Sequence, residues 1–396
     1  MPTKTKSKAL SKRVTKKPAV IKRARSKKED ENLPKIKVVA VGGSGKSATN
    51  YMIKKDTKGV QFIVVNTDAQ DLNQSLAKKK IHIGKNLTGG IGTGMNPEVG
   101  KSAALETKEE ITMALKDAQM VFITGGMGGG TGTGASPVIA SIAREMGILT
   151  VAVVTKPFSF EGTRRTELAE AGISELENNV DSYIVIPNDK ILVASEDEAT
   201  MNDAFALSDE VLKQAVEGIS SLITTPGRIN VDFADIKTVL SDSGMALVGI
   251  GKARGESRAA EAATRAINSP LLDISANGAG AVLFSISAGD DLKMTEVQTI
   301  AESITKEISP DAIVKFGTIR DLKLRKGEIK VTVIASNFDK TVSQVSLRDD
   351  ELVLNELSEE EAAEVMSKAR KNNSEEEAEE GRDPISFLPK FIRDRL

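Results

Sequence analysis

Gly125-Gly126-Met127-Gly128-Gly129-Gly130-Thr131-Gly132-Thr133-Gly134-Ala135-Ser136-Pro137 is the stretch that decides how the chain is read. It follows a strand-like run, Val121-Phe122-Ile123-Thr124, and precedes a helical pattern carrying Val138, Ile139 and Ile142. Ordered glycine costs about 0.5–1 kcal/mol relative to alanine in regular structure, so such a run implies close backbone approach or positive φ. A helix N-terminus behind bare amides is an anion cradle, and Thr131 and Thr133 add hydroxyl donors. Two more glycine loops stand upstream, Gly42-Gly43-Ser44-Gly45 and Gly89-Gly90-Ile91-Gly92-Thr93-Gly94. One loop suits a tight turn. Three on one sheet imply a polyphosphate held from several sides.

Working outward, Ile36-Lys37-Val38-Val39-Ala40-Val41, Phe62-Ile63-Val64-Val65, Thr150-Val151-Ala152-Val153-Val154 and Tyr183-Ile184-Val185-Ile186 are further strand candidates, separated by helical patterns such as 97–115. Apolar runs alternating with amphipathic helices predict a parallel sheet covered on both faces, with ligands at the carboxyl ends of its strands. Residues 202–224 place Leu207, Val211, Leu212, Ala215, Val216, Ile219, Leu222 and Ile223 at helical spacing on a broad apolar face, a central helix joining two domains. Beyond Pro226-Gly227, four strand candidates within 246–250, 280–286, 312–317 and 329–335 and helical stretches at 256–267 and 295–308 predict a second, smaller α/β domain.

Composition narrows the chemistry. The 396 residues, 40% hydrophobic and 28% charged, suit two or three globular domains. With no Cys and a single His, His82, zinc fingers, iron–sulfur clusters and thiol nucleophiles are excluded, as is any Ser-His-Asp triad not using His82. Aromatic residues at 3% leave few stacking platforms for nucleic acid. The formal charge of −2 hides an asymmetry: residues 1–28 hold twelve Lys or Arg and no acid, whereas 349–380 are mostly acidic. Both read as solvated and disordered, and no apolar run is long enough for a signal-peptide core or a membrane span. A solvated leader is the expected role of the basic arm, with nucleic-acid or anionic-lipid contact and a transit peptide as alternatives.

Two local motifs admit more than one reading. Gly45-Lys46-Ser47 matches the end of a P-loop, but Ala40 stands where that pattern needs its first Gly. A monomeric P-loop NTPase would send Lys46 to the terminal phosphates and Ser47 to magnesium; a Rossmann oxidoreductase is a further monomeric alternative. In Asn230-Val231-Asp232-Phe233-Ala234-Asp235, the two acids three apart share one side of a helix start, as positioning a water at phosphorus would require. Ordinary helix capping explains the same spacing.

Gly126 to Ala135 resembles the tubulin-type signature. Val154-Thr155-Lys156-Pro157-Phe158-Ser159-Phe160-Glu161-Gly162, Ile186-Pro187-Asn188-Asp189-Lys190, Asn66-Thr67-Asp68-Ala69-Gln70 and Asn96-Pro97-Glu98-Val99-Gly100 resemble the FtsZ family in the family's order, over about 36–338. The resemblance implies a tubulin/FtsZ-like α/β fold: a basic arm (1–34), a Rossmann-like parallel-sheet GTP-binding domain (35–201), a central helix (202–224), a C-terminal activation domain (225–340), an acidic linker (341–382) and a partner-binding peptide (383–396). It implies GTP or GDP with Mg2+ held mainly by the phosphates. Gly42, Gly43 and Gly45 would form the first phosphate loop, enclosed by Asn66, Asp68, Gly92 and Gly94, while Gly126, Gly128, Gly129, Gly130, Thr131, Gly132 and Thr133 would carry the α- and β-phosphates.

By the same resemblance Glu161 would bond the ribose, Arg165 approach the phosphates, Asn188 contact ribose or base, Phe205 stack on guanine and Asp209 read its N1–H and amino group. Asn230, Asp232 and Asp235 would complete the active site of the next subunit in a linear protofilament. The family's first loop is a near-continuous glycine run ending in Asn; with Ser44, Lys46 and Ser47 there instead, Lys46 is expected either to bond a phosphate or to face solvent. Phe387-Leu388-Pro389-Lys390-Phe391-Ile392-Arg393-Asp394-Arg395 is similar to the family's terminal peptide, which docks membrane tethers and regulators. The implied activity is a polymerisation-dependent GTPase of the cell-division ring, cytoplasmic and at mid-cell.

Overall fold

The computed structural model describes residues 34–193, 200–225, 227–268, 278–321 and 323–338. The basic arm before Pro34, the acidic linker and the terminal peptide at 383–396 lie outside the described residues. The first half runs β1 (Ile36–Val41), α1 (Gly42–Lys54), β2 (Val60–Asn66), α2 (Ala69–Asn73), β3 (Lys79–His82), α3 (Lys85–Thr88), α4 (Pro97–Glu106), α5 (Lys108–Leu115), β4 (Met120–Gly126), α6 (Gly130–Glu145), β5 (Leu149–Lys156), α7 (Thr163–Glu177), β6 (Ser182–Pro187) and α8 (Asn188–Val193). Then follow α9 (Met201–Thr224), α10 (Phe233–Leu240), β7 (Gly244–Arg254), α11 (Arg258–Ile267), β8 (Ala281–Ala288), α12 (Met294–Thr305), β9 (Ile313–Arg320) and β10 (Glu328–Ser336). None of the described helices is long and apolar enough to cross a membrane.

The strands lie in the order β3-β2-β1-β4-β5-β6-β7-β10-β8-β9. The first six are parallel. β6 meets β7 through only two residue pairs, Ser182 with Gly244 and Tyr183 with Met245. In the second sheet β10 runs antiparallel to β7 and β8, while β8 and β9 are parallel. Order reverses between β1 and β4, paired from Ile36 with Met120 to Ala40 with Thr124, which opens a crevice at their carboxyl ends.

Alternation along the buried strands feeds two cores. Val39, Val41, Val121 and Ile123 pack with Ile139 and Ile142 of α6 on one face. Val38 and Phe122 pack with Ala48 and Met52 of α1 and Val216 and Ile219 of α9 on the other. The same core includes Leu283 of β8 and Ile334 of β10, so α9 lies against both sheets. A Cβ on Gly218 would fall 2.8 Å from Thr332 Cγ2, an approach of α9 to β10 that only glycine permits without displacement.

Two details differ from the sequence-based expectation. The helical pattern over 97–115 is two helices, broken at Thr107, whose Oγ1 donates to the Ala103 carbonyl (3.1 Å) and accepts from Gly84 N–H (3.3 Å). β3 is a short, partly polar edge strand without a run of apolar residues to announce it. The glycines of 125–134 show the close approach expected of them, but toward protein backbone as well as toward the cavity. Only Gly128 has positive φ (+91°), while Cβ atoms on Gly130, Gly132 and Gly134 would fall 2.1 Å from Thr93 Oγ1, 2.5 Å from Gly126 O and 1.8 Å from Pro97 O. Much of the run therefore lets α6 lie directly on the backbone of its neighbours.

Candidate functional site

At the β1/β4 crevice lies a cavity of about 630 Å³, the size of an ordinary ligand site. The helices α1 and α6 both begin there. Neither has a side-chain cap or an acid in its first turn, whereas α2, α4, α9 and α10 are capped by Asp68, Asn96, Thr200 and Asp232. The leading amides of α1 and α6, like those of α3 and α7, lack a side-chain acceptor, and those of α1 and α6 open on the cavity, where an anion can supply one. Gly42, Gly43, Ser44 and Ser47 line the cavity from α1, and Gly126, Met127, Gly129, Gly130, Thr131 and Gly132 from the β4–α6 turn. Thr131 Oγ1 is 2.7 Å from Thr67 Oγ1, and Gly128 N–H donates to Thr133 Oγ1 (2.8 Å), which ties the turn down.

Gly129 stands apart in this turn. It lines the cavity, has φ −90°, and an added Cβ would meet nothing within 4 Å. Gly129→Ala is therefore expected to leave thermal stability unchanged while weakening an anion that must approach the N–H groups. Gly134→Ala, which forces a methyl onto Pro97 O, is expected to destabilise the fold by about 1–3 kcal/mol. Thermal unfolding and nucleotide titration of the two variants separate these effects; equal stability loss in both would contradict the division.

The opposite end of the cavity belongs to α9. Asn202, Phe205, Ala206 and Asp209 recur at helical spacing on its lining face, with Ser208 beside them. Phe205 is 42% exposed, although its ring meets Phe158 edge-on at 5.2 Å and Phe158 in turn stacks on Phe160. It offers a free aromatic face. Burial pushes the Asp209 carboxyl up to about 7. Asn188 is buried and its Oδ1 accepts from Ser208 Oγ (2.9 Å). Glu161 and Arg165 line the wall between the two ends and pair with each other at 2.6 Å, Glu161 also accepting Phe158 N–H (3.0 Å). Arg165 Nε is buried without a partner among the described residues, a donor left over beside the cavity.

Gly42, Gly43, Gly126, Gly129, Gly130, Thr131, Gly132, Glu161, Arg165, Asn188, Phe205 and Asp209 are thus brought together. Gly45, Asn66, Asp68, Gly92, Gly94, Gly128 and Thr133 are not among the lining residues. A Cβ on Gly45 would meet Thr124 O at 2.7 Å, so its glycine serves helix–strand contact. Gly92 and Gly94 hold positive φ on either side of Thr93, which does line the cavity. Asn66 accepts Thr67 N–H (2.8 Å) and donates to Asp71 (2.8 Å), whose other oxygen takes Lys46 Nζ, while Asp68 caps α2. Lys46 therefore follows neither expectation. Its side chain, 12% exposed, is held by Asp71, which removes the lysine that a P-loop reading requires. Ser44 and Thr93 line the cavity from glycine loops that the sequence singles out, whereas Asn202 and Ser208 escaped sequence reasoning, although the α9 spacing from Phe205 and Asp209 points to Asn202.

Asn230, Asp232 and Asp235 are elsewhere, near the C-terminal end of α9. Asn230 Oδ1 accepts Gly227 N–H (2.7 Å), Asp232 Oδ1 accepts Asp235 N–H (2.8 Å), and Asp235 pairs with Lys315 of β9 at 2.7 Å. The Lys315 contact holds the Asp235 carboxyl below its ordinary range. Capping is thus what these residues do within one chain, with Asp232 itself still exposed.

Amide-lined turns at a sheet's switch point, together with an aromatic face and a lone carboxylate, define a nucleotide-binding α/β protein. Residues 35–196 match the family model "Tubulin/FtsZ family, GTPase domain", and residues 244–339 match "FtsZ family, C-terminal domain". Among solved structures, FtsZ of M. jannaschii, described as an empty dimer, is 41% identical, with 78% of this chain and 90% of that chain covered and a TM-score of 0.74. CetZ2 of Haloferax volcanii, a GTPγS-bound protofilament, shares the fold at 20% identity, with 81% and 99% covered and a TM-score of 0.68. The chain belongs to the FtsZ family, and it is a cytoskeletal GTPase that binds guanine nucleotide.

Proposed function

We propose that the chain binds GTP and GDP in the switch-point cavity, assembles head to tail into linear protofilaments, and hydrolyses GTP only where two chains meet. One observation carries this reading: the cavity and the acids suited to hydrolysis lie near opposite ends of α9. The helix has 24 residues, about 36 Å at 1.5 Å per residue. Within the cavity the lining carboxylates are Glu161, engaged by Arg165 and Phe158 N–H, and Asp209. Glu161 is engaged, and Asp209 lies at the α9 end of the cavity, opposite the amide-lined end, so neither is placed to orient a water at the terminal phosphate. Stacking a second chain brings its Asn230, Asp232 and Asp235 over the phosphate end of the first. Such a contact is heterologous and need not close, so a filament follows. The dimer and protofilament described for the two relatives support self-assembly.

In this reading the amides of α1 and α6, with Ser44, Ser47, Thr93 and Thr131, hold the phosphates, and the Arg165 side chain flanks them. Phe205 stacks on the base. Asp209 accepts from guanine N1–H and its amino group, a donor pair that adenine lacks. No cluster of three or more His, Cys, Asp or Glu able to hold a metal occurs among the described residues. The hydroxyls at the phosphate end suit Mg2+, which keeps several waters and is carried by substrate phosphates. When bound, the ion would neutralise charge on the leaving diphosphate. Formation of the cytoplasmic division ring at mid-cell, with residues 387–395 docking tethers and regulators, is the cellular role that follows.

The test is GTP turnover against protein concentration, with polymer sedimented from the same tubes and ATP as control. Turnover is expected to be near zero below a critical concentration and to rise with pelleted protein. A constant rate per chain at every dilution would reject the shared site.

A further inference from the structure

A second cavity, about 640 Å³, lies between α9, the end of α1 and the strands β7 and β10. Eight Lys or Arg side chains line it against three carboxylates, Glu217, Asp321 and Glu328. Glu217 pairs with Lys213 (3.0 Å), while Asp321 and Glu328 accept only the backbone N–H groups of Lys323 (2.9 Å) and Arg325 (3.0 Å) and keep their charge; Lys213 and Arg265 also pair with Glu210 and Glu261 beyond the wall, which still leaves more cations than anions. Among the described residues, Lys252, Arg254, Arg325 and Lys330 have no carboxylate within 4.0 Å. Burial lowers the pKa of Lys330, with Lys252 and Lys213 adding to the effect and Glu217 and Asp321 opposing it. A concave wall with this surplus focuses positive potential and attracts a polyanion.

We propose that this cavity binds the chain's own acidic segment, residues 349–364, through carboxylate contacts to Lys252, Arg254, Arg325 and Lys330. From Asp349 to Glu364 every ionisable side chain is an acid. The tether is long enough. β10 carries Lys330 near its start and ends at Ser336, a return of about 20 Å at 3.3 Å per residue. Residues 337–348 extend to about 40 Å. Exposed ion pairs are individually weak, and an attached ligand at an effective concentration in the millimolar range compensates for that. Because Lys55 and Lys213 line the same cavity from the first domain and α9, the bound segment would span both sheets.

Zero-length carbodiimide coupling of the full chain with GDP, followed by peptide mapping, tests this. Isotopically labelled and unlabelled chains are mixed so that links within and between chains are distinguishable. The expected result is amide links from 349–364 to Lys252 and Lys330 within one chain, falling about tenfold when salt rises to about 0.5 M. The doubly substituted Arg254→Gln/Arg325→Gln chain keeps both lysines but should lose most of these links, and Arg254→Lys/Arg325→Lys should restore them. Links directed only to residues 1–28, links only between chains, links indifferent to the arginine substitutions, or none at all would overturn the assignment. A labelled oligonucleotide that binds the full chain through Arg254 and Arg325, with no such links formed, would give the cavity to nucleic acid instead and overturn it equally.

Discussion

Asp232→Asn and Asp235→Asn chains are expected to bind GTP and sediment as polymer, yet to turn GTP over about 10²–10⁴-fold more slowly than the parent, the usual contribution of a positioned acid or base. Asn is the informative replacement because it caps a helix as well as Asp does, so α10 keeps its start, whereas Ala would cost about 0.5–2 kcal/mol. Loss of the Asp235 pair with Lys315 matters little for folding, because both partners are partly exposed. The shared site makes a further demand on mixtures. An Asp235→Asn chain keeps its cavity, and an Asp209→Asn chain keeps its acids; copolymerised, the second should restore turnover to the first. Full turnover in both acid variants alone, or no recovery in a mixture that does pellet, would refute completion by the neighbour.

Asp209→Asn is expected to remove guanine selectivity. A site built around a bidentate acceptor rejects a ligand lacking the donors by about 10⁴–10⁵ where its polar group would otherwise be left unpaired. Binding of GDP should fall toward that of ADP, measured by titration of both. Protonation supplies an independent reading. Burial raises the folded Asp209 carboxyl to about 7 from an ordinary value near 4, so the unliganded fold binds the proton that the unfolded chain releases. Its contribution to stability is complete below about pH 4 and is lost as pH rises toward 7. Guanine requires the ionised form, so GDP binding at pH 6 should expel about one proton from Asp209. Calorimetry in buffers of different ionisation enthalpy, compared with Asp209→Asn, reads that proton directly. Equal proton release in both proteins would show that Asp209 does not meet the base.

How much was visible beforehand differs by element. The switch-point turns and α9 are legible because hydrophobic periodicity and glycine both act locally along the chain. Thr107 is not: its break between α4 and α5 depends on Gly84, far away in sequence. Lys46 misleads for a similar reason, since its neighbours spell a phosphate motif while Asp71, 25 residues on, takes its charge. Ser208 enters the cavity through the face that α9 presents, and no residue-type rule distinguishes it from an ordinary surface hydroxyl. The glycine run shows the limit most clearly. Its density suggested bare amides for a ligand, and only the packing reveals that Gly130, Gly132 and Gly134 also make room for protein backbone.

The two-pair seam between β6 and β7 has a mechanical consequence. So narrow a hinge resists twisting poorly, and the stiff rod laid across both sheets becomes the principal linkage between them. A push along that rod at its Phe205 end is delivered at its Thr224 end, next to the segment carrying Asn230 and Asp232. Any ligand at the near end that shifts the rod would, by reciprocity, bind with an affinity that contacts at the far end change by the same factor.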